Sequence, residues 1–261
     1  MPNDNAEPVS TPPSRTLKVL TVNAHKGFTF FNRRFILHEL REAVRAVGAD
    51  IVFLQEVLGA HAGHSERYAD WPKTPQYEFL ADEIWPQFAY GRNAVYPDGD
   101  HGNALLTKFP IRRFVNHDIS VGDGAEKRGL LHCVLDLPDG DEVHAICVHL
   151  GLREQQREQQ LGLLCRQIAT EVPPRAPLLV AGDFNDWRLR GHRLLEDNCG
   201  LREVFVVENG AAAKTFPARF PLLSLDRIYV RNAQSHQAVV LPNRPWSHLS
   251  DHAPLAAEIS I

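Results

Sequence analysis

The chain has 261 residues, of which 44% are hydrophobic and 23% are charged. Its length and composition are sufficient for a large buried core and are typical of one globular domain. Lysine and arginine number 28 against 32 for aspartate and glutamate, so the net charge of −4 excludes an overall basic surface for nucleic acid or for an anionic membrane. A local basic rim is compatible with this balance.

The first 16 residues are polar and contain four prolines, which predicts a disordered leader, with residues 17–261 forming a single domain. The leader lacks the apolar stretch of a secretion signal, and no later run reaches the ~18 apolar residues of a membrane span. The four cysteines lie far apart and are interpreted as buried thiols in a reducing compartment. We therefore expect a cytoplasmic protein without a transmembrane segment, and a monomer.

Apolar runs predict a series of short strands with a few interspersed helices. The predicted strands are residues 17–23, 51–54, 103–107, 113–120, 129–137, 143–150, 176–181, 225–230, 237–241 and 254–261. Helical spacing predicts helices from about residue 32 to Gly48 and over residues 77–85, 153–171 and 192–197. This order favours two packed sheets with outer helices, and it leaves a doubly wound α/β fold open.

Polar side chains follow several of these strands at the point where each one ends. The apolar run 176–181 leads through Gly182 to Asp183 and Asn185, which offer a charged acceptor beside a neutral amide. Glu56 ends the run 51–54 in the same way. The full set at or beside predicted strand ends is Asn23, Glu56, His149, Asp183, Asn185, Asp226, Asp251 and His252.

If these strand ends share one rim, four carboxylates, two imidazoles and two amides meet there. Carboxylates so close together need a cation, and their oxygen atoms favour Mg²⁺, with Mn²⁺ as the alternative. The two imidazoles leave zinc as a second choice. The remaining histidines, among them His25 and His117, are interpreted as loop residues rather than ligands.

Seven short motifs occur in the same order as in the endonuclease/exonuclease/phosphatase superfamily, which the chain therefore resembles. Pancreatic deoxyribonuclease has the fold of this superfamily. The resemblance spans residues 17–261 and implies a four-layer α/β sandwich that hydrolyses a phosphate ester with a divalent metal. The motifs are Thr21-Val22-Asn23, Leu54-Gln55-Glu56-Val57, Gly102-Asn103-Ala104-Leu105-Leu106, Val148-His149-Leu150, Gly182-Asp183-Phe184-Asn185, Leu225-Asp226-Arg227-Ile228 and Ser250-Asp251-His252-Ala253-Pro254.

The resemblance also implies the metal ligands. Glu56 would be the main metal carboxylate, with Asn23 and Asp251 beside it. Abasic-site endonucleases have an acid two residues after the first asparagine, where this chain has His25. A second metal-binding carboxylate at that position is therefore not expected.

The same resemblance implies the catalytic roles. Asp183 would orient or deprotonate the attacking water, and Asn185 would bind the phosphoryl group. Asp226 would hold His252 in the tautomer that faces the phosphate, and His149 would stabilise charge on a non-bridging oxygen. An in-line displacement at phosphorus needs these fixed donors because charge develops on its oxygens.

Four further residues are candidates for substrate binding: Arg92, Asn103, Arg128 and Trp187. The segment 23–34 adds Phe28, Phe30 and Phe31 beside basic residues, a combination that suits a nucleobase with its phosphate or a lipid headgroup, or that packs under the sheet.

The predicted substrate is a phosphate ester of a lipid headgroup, a small molecule or a nucleic acid, and peripheral membrane contact stays open. A nuclease is the alternative enzyme. A binding module that has lost turnover is the alternative of another class, and the complete set of acids and imidazoles argues against it. A long basic groove would indicate a nuclease, and a short pocket a smaller ester.

Overall fold

The computed structural model of the protein describes residues 15–29, 34–122 and 126–261. Within these residues, twelve strands form two mixed six-stranded sheets. Sheet 1 consists, in spatial order, of β11 (Gln234–Val240), β12 (Leu255–Ser260), β1 (Thr16–Asn23), β2 (Ile51–His61), β4 (Gly99–Thr107) and β3 (Gln87–Tyr96). Sheet 2 consists of β5 (Ile111–Asp118), β6 (Gly129–Asp136), β7 (Glu142–His149), β8 (Leu178–Asp183), β10 (Asp226–Arg231) and β9 (Arg202–Glu203).

Helices form the outer layers of the molecule. They are α1 (Leu37–Val47), α2 (His64–Arg67), α3 (Gln76–Ala81), α4 (Glu154–Glu171), α5 (Arg190–Cys199), α6 (Val204–Asn209) and α7 (Asn243–Trp246). Residues of α1 and α3 pack with sheet 1, and residues of α4 and α5 pack with sheet 2. The predicted four-layer α/β sandwich is confirmed. None of the helices in the described ranges has the length and apolar character that crossing a membrane requires.

The alternation of side chains along the central strands explains why both faces of each sheet are covered. In β1, Leu17 and Val19 face the core between the sheets, whereas Leu20 and Val22 face the helices of the outer layer. A strand that is buried on both faces has a nearly continuous apolar sequence, as β8 does. The polar residues that end such strands therefore lie where the core stops.

Most predicted elements lie where the sequence places them, and where a predicted element differs, the difference is at its ends. The predicted leader falls largely outside the described residues, and Thr16 is the first residue of β1. Helix α1 begins at Leu37 rather than near residue 32, and the helix predicted over 77–85 ends at Ala81 because Asp82 adopts a positive φ of 49°. Strand β3 was not predicted, since its run is interrupted by exposed polar residues.

Candidate active site

Sheet 2 places three of the predicted site residues in one row. Strands β7 and β8 run parallel, with His149 opposite Asp183 at their ends. Strand β10 runs antiparallel to β8, so its first residue, Asp226, also lies opposite Asp183. The pairing register therefore brings together residues that are up to 77 positions apart in the sequence.

Gly182 is required for this arrangement. Its φ is +144°, and a Cβ atom at this position would lie 2.0 Å from the backbone oxygen of Val148. Any side chain would push β8 away from β7 and displace the neighbouring Asp183.

Sheet 1 supplies Asn23 and Glu56. Asn23 is the last residue of β1, as predicted. Glu56 is not at a strand end, because β2 continues to His61; instead it lies in a β-bulge between Leu54 and Val57, with a φ of 53°. A bulge interrupts the alternation of side chains, and here it turns Glu56 toward Asn23, whose Nδ2 lies 3.3 Å from Glu56 Oε1.

Loops supply Asn185, Asp251 and His252. The backbone N–H of Asn185 donates to Asp183 Oδ1 at 2.9 Å, so the turn after β8 is held by the acid itself. Ser250 fixes the other loop, because its hydroxyl donates to the backbone oxygen of Asn23 at 2.7 Å and accepts from the N–H of His252 at 3.0 Å. The two sheets and two loops thus meet at one place.

Asp226 and His252 form a buried acid–imidazole pair. His252 Nδ1 lies 2.8 Å from Asp226 Oδ2, and His252 Nε2 points toward Asp183 Oδ2 at 4.0 Å. Burial opposes the charged form of His252, but the Asp226 and Asp183 carboxylates outweigh it and raise the pKa of the imidazole to about 10. His252 is therefore a positively charged group at neutral pH.

Asp183 is the centre of the site. Its Oδ2 lies 3.4 Å from Asn23 Nδ2 and 3.6 Å from His149 Nε2. Burial raises the pKa of Asp183 to about 7, although the His252 charge opposes the increase. Burial, together with the charge of Arg128, lowers the pKa of His149 to about 3, so its ring is neutral. An acid that titrates near neutral pH is suited to accepting a proton from water.

The oxygen-rich side of the site fits a hard cation. Asp251 Oδ1 is buried and has no hydrogen-bond partner within the described part of the chain. His25 Nδ1 lies between the acids, 3.4 Å from Asp251 Oδ1 and 3.9 Å from Glu56 Oε2. Burial opposes the charged form of Glu56, but nearby His149, Lys26 and His25 and the amide of Asn23 lower its pKa. Carboxylate and amide oxygens of this kind are the ligands that Mg²⁺ and Mn²⁺ prefer.

Residues 20–252 match the model of the Endonuclease/Exonuclease/phosphatase family. The chain belongs to this family. It is 58% identical over 247 residues to the uncharacterized protein YbhP of Escherichia coli strain K12, a match that covers 94% of this chain and 97% of YbhP.

Several solved structures share the fold at low sequence identity. An endonuclease/exonuclease/phosphatase from Beutenbergia cavernae superposes with a TM-score of 0.77 at 17% identity, over 95% of this chain and 72% of that one. A mannosyl-6-phosphatase from Bacteroides thetaiotaomicron gives 0.70 at 17% identity, over 94% and 100%. D. rerio TDP2 in complex with a single strand DNA product gives 0.72 at 16% identity, over 94% and 99%.

The site of this family member opens into a cavity of about 370 Å³. Five of the predicted catalytic and metal residues line it, namely Glu56, His149, Asp183, Asn185 and His252. Two of the four predicted substrate residues line it as well. Arg128 is almost buried and pairs with Glu126 at 2.9 Å, and Trp187 is 46% exposed at the rim.

The other two predicted substrate residues do not reach the cavity. Asn103 is fully buried in β4, where its amide donates to the backbone oxygens of Gly129 at 3.0 Å and Cys147 at 3.3 Å. It joins the two sheets instead of contacting a substrate. Arg92 lies exposed on the edge strand β3 and is not part of the cavity wall. The sequence did not indicate which way these side chains point, because strand register decides it.

The cavity wall also contains residues that the sequence analysis did not identify. They are Glu126, Leu152, Phe216, Leu223 and Leu225. The ring of Phe216 lies 5.1 Å from that of His252 and covers the imidazole. Leu225 belongs to a quoted motif but was not singled out, and Leu152, Phe216 and Leu223 are single apolar side chains that carry no periodic signal.

The phenylalanine segment packs into an aromatic cluster as far as the structure describes it. Phe28 is buried, with its ring 5.5 Å from Phe35 and 5.3 Å from Tyr68. Phe30 and Phe31 lie outside the described residues. For Phe28, the packing interpretation is therefore the correct one.

Proposed function

We propose that this protein hydrolyses a phosphate ester with the help of a divalent cation, Mg²⁺ or Mn²⁺, held by Glu56, Asn23 and Asp251. The observation that carries the proposal is the meeting of a charged acid–imidazole pair with an oxygen-rich cluster at one cavity. When bound, the cation would neutralise charge on the phosphoryl oxygens.

Asp183 is proposed to orient the attacking water and to accept its proton. Its raised pKa supports this role. A carboxylate whose pKa is near 7 is partly ionised at neutral pH and is more basic than an ordinary carboxylate, so it can accept a proton from water. The hydrogen bond from the Asn185 N–H fixes Oδ1, and Oδ2 faces the cavity residues His149 and His252.

The donors around Asp183 are proposed to bind the phosphoryl group. His252 is charged and held by Asp226, so its Nε2–H is available to a phosphoryl oxygen. His149 is neutral and therefore carries one N–H for a second oxygen. The Asn185 amide donates one hydrogen to the backbone oxygen of Leu150 and keeps the other for the substrate. Fixed donors of this kind stabilise the charge that develops in the transition state.

The shape and polarity of the cavity favour a compact substrate with an apolar or aromatic group. Its volume of about 370 Å³ suits a small ester, and its wall includes exposed Leu152 and Trp187 together with Leu223. Among the described lining residues, the positive charges are those of Arg128, which pairs with Glu126, and His252, which pairs with Asp226. A nuclease needs a basic groove along several nucleotides, so a nuclease is the second candidate.

A substrate panel tests the proposal. Purified protein would be assayed with Mg²⁺, with Mn²⁺ and with chelator on p-nitrophenyl phosphate, bis-p-nitrophenyl phosphate, phospholipids, small phosphorylated sugars, plain DNA and RNA. Asp183→Asn serves as the blank, and Glu56→Gln reports on the cation. We expect chelator-sensitive turnover of a small ester that is absent in Asp183→Asn and needs more Mg²⁺ in Glu56→Gln.

The outcomes separate the candidates. Turnover restricted to DNA or RNA would replace the small-ester proposal with the nuclease. Turnover that survives the chelator, or a Glu56→Gln variant with an unchanged Mg²⁺ titration, would contradict the cation assignment. A folded protein that is silent on every substrate while binding Mg²⁺ would favour the binding module.

A further inference from the structure

A second cluster of ionisable side chains lies at the end of sheet 2 that is remote from the active site. His144 lies near the start of strand β7, and His149 of the active site is its last residue. The two histidines are five residues apart, which is roughly 16 Å along the strand. Around the His144 end, donor atoms of His117, His132 and Glu171 all lie within 4.8 Å of one another.

The fold brings these three residues to one face. In the β5–β6 pair, Val115 lies opposite His132, so His117, two residues further on, faces the same side of the sheet. Helix α4 covers this face, and Glu171 is its last residue. His132 is 2% exposed, whereas the side chains of His117 and Glu171 are 21% and 26% exposed. The cluster is therefore anchored in the core and open on one side.

Two imidazole nitrogens converge on one carboxylate oxygen. His117 Nε2 lies 3.3 Å from Glu171 Oε2, and His132 Nδ1 lies 3.2 Å from the same atom. Gln167, one turn earlier on α4, contacts the His117 ring at 2.9 Å. Two nitrogens and an oxygen that face a common point are a typical donor set for a transition metal.

A hydrogen-bonded chain extends from His132 into the core. His132 Nε2 lies 2.9 Å from His144 Nδ1, and His144 Nε2 lies 3.3 Å from Glu142 Oε1. The order is therefore carboxylate, imidazole, imidazole, carboxylate, with three contacts in between. Each contact needs one proton.

Two neutral imidazoles carry two N–H groups, which is one fewer than the three contacts require. One contact would then bring two lone pairs face to face. An additional proton would place a charged imidazole inside the core, because His132 is 2% exposed and His144 is 1% exposed. A cation in place of the missing proton satisfies every group.

We propose that His117, His132 and Glu171 bind Zn²⁺ or a similar transition-metal ion. With the ion on His132 Nδ1, the Nε2–H of His132 donates to His144, and the Nε2–H of His144 donates to Glu142. Such outer partners orient metal-binding imidazoles in general. The nitrogen donors distinguish this site from the oxygen-rich cluster of the active site, and the remaining coordination position suits water or Gln167.

The proposed ion joins the last turn of α4 to strands β5 and β6. It lies remote from the cavity, so its role is to stabilise the second sheet and its helix, and it is independent of the proposed reaction. Zinc should then raise the unfolding temperature of the protein without being required for turnover.

Zinc binding by the metal-free full-length protein tests the site. The number of zinc ions bound per chain would be measured by elemental mass spectrometry after dialysis. The affinity for zinc would be measured by competition with a chromophoric chelator. The variants are His117→Ala and Glu171→Gln, with exposed His236→Ala as the matched control and Glu56→Gln as the control for the active site. Both cluster positions are partly exposed, so these variants are expected to fold, which circular dichroism would check.

We expect wild type, His236→Ala and Glu56→Gln to retain one tightly bound zinc that His117→Ala and Glu171→Gln lose or bind about 100-fold more weakly. Cobalt bound at the same position should show the visible absorption of a four-coordinate ion, absent in His117→Ala. Equal zinc affinity in His117→Ala and wild type, or a single equivalent that disappears in Glu56→Gln instead, would overturn the proposal.

Discussion

Two groups of buried ionisable residues lie at opposite ends of β7, and they differ in composition and in charge. At the His149 end, carboxylates surround Asp183, and His252 is held in its charged form. At the His144 end, two buried imidazoles are neutral and one of them meets a single partly exposed carboxylate, Glu171. An oxygen-rich site thus lies at one end of β7, and a nitrogen-rich site lies beside its other end.

The difference shows that burial alone does not determine protonation. His252 and His132 are both buried, yet the pKa of the first is raised to about 10 and that of the second lowered to about 4. Burial lowers the pKa of both rings. Two close carboxylates outweigh burial at His252, whereas His132 has only Glu171 against burial and the neighbouring His144. The charged His252 is therefore suited to donating to an anion, whereas the neutral His132 is suited to binding a cation.

The largest expected effect concerns His252. We expect His252→Ala to reduce turnover on the best substrate by about 1,000-fold, because the variant removes a charged donor from the transition state. The exposed neighbour His248→Ala is the matched control and should keep full turnover. Steady-state kinetics would measure both, with circular dichroism as the check on folding. Near-normal turnover in His252→Ala would remove the imidazole from the mechanism.

The alkaline limb of the stability profile tests the Asp226–His252 pair. Since the pKa of His252 is raised from 6.5 to about 10, its contribution to stability is complete below about pH 6.5 and is lost as the pH rises through 10. In the presence of chelator, the wild-type free energy of unfolding should fall between pH 7 and 10, by at most about 1.4 kcal/mol per pH unit from this group. Urea unfolding at each pH measures the slope.

Asp226→Asn is the variant for this experiment. It removes the carboxylate that raises the pKa of His252 most, so the slope above pH 7 should become flatter even if the protein is less stable throughout. Equal slopes in wild type and Asp226→Asn would contradict the assignment of the charge to this pair.

The acid limb tests the other end of β7. The pKa of His132 is lowered from 6.5 to about 4, so the unfolded chain binds more protons in this window, and the associated stability is lost as the pH falls from 6.5 toward 4. His132→Gln should flatten the profile in that window, measured by urea unfolding with chelator present. The exposed His236→Gln should leave it unchanged. An unaltered acid limb in His132→Gln would show that folding does not lower the pKa of this imidazole.

The smallest expected effect concerns the rim of the cavity. Trp187 is 46% exposed and lines the opening, so Trp187→Ala should raise KM by about threefold to tenfold while kcat stays nearly constant. Val207→Ala, at an apolar position on α6 that is 53% exposed, is the control. A fall in kcat with unchanged KM would instead place Trp187 among the groups that act in the transition state.

Much of the fold was predictable because its determinants are local. The continuous apolar run of β8 and the alternating run of β1 predict buried strands. The turn at residues 138–140 predicts the β6–β7 hairpin, which the structure shows with Asp136 opposite Glu142. Element ends such as Asp82 escaped prediction, since a positive φ in a non-glycine residue depends on the surrounding packing.

The sequence by itself indicated which chemistry-bearing residues lie at or beside predicted strand ends and in which order, and this favoured two packed sheets with outer helices and supplied eight candidate site residues. Only the tertiary structure decided where each side chain points. The bulge that turns Glu56 and the burial of Asn103 between the sheets depend on the pairing of distant strands. The same is true of His117, which the sequence assigned to a loop and which lies in β5 beside His132. Strand register decides these contacts because a shift of one residue reverses the face that every side chain occupies.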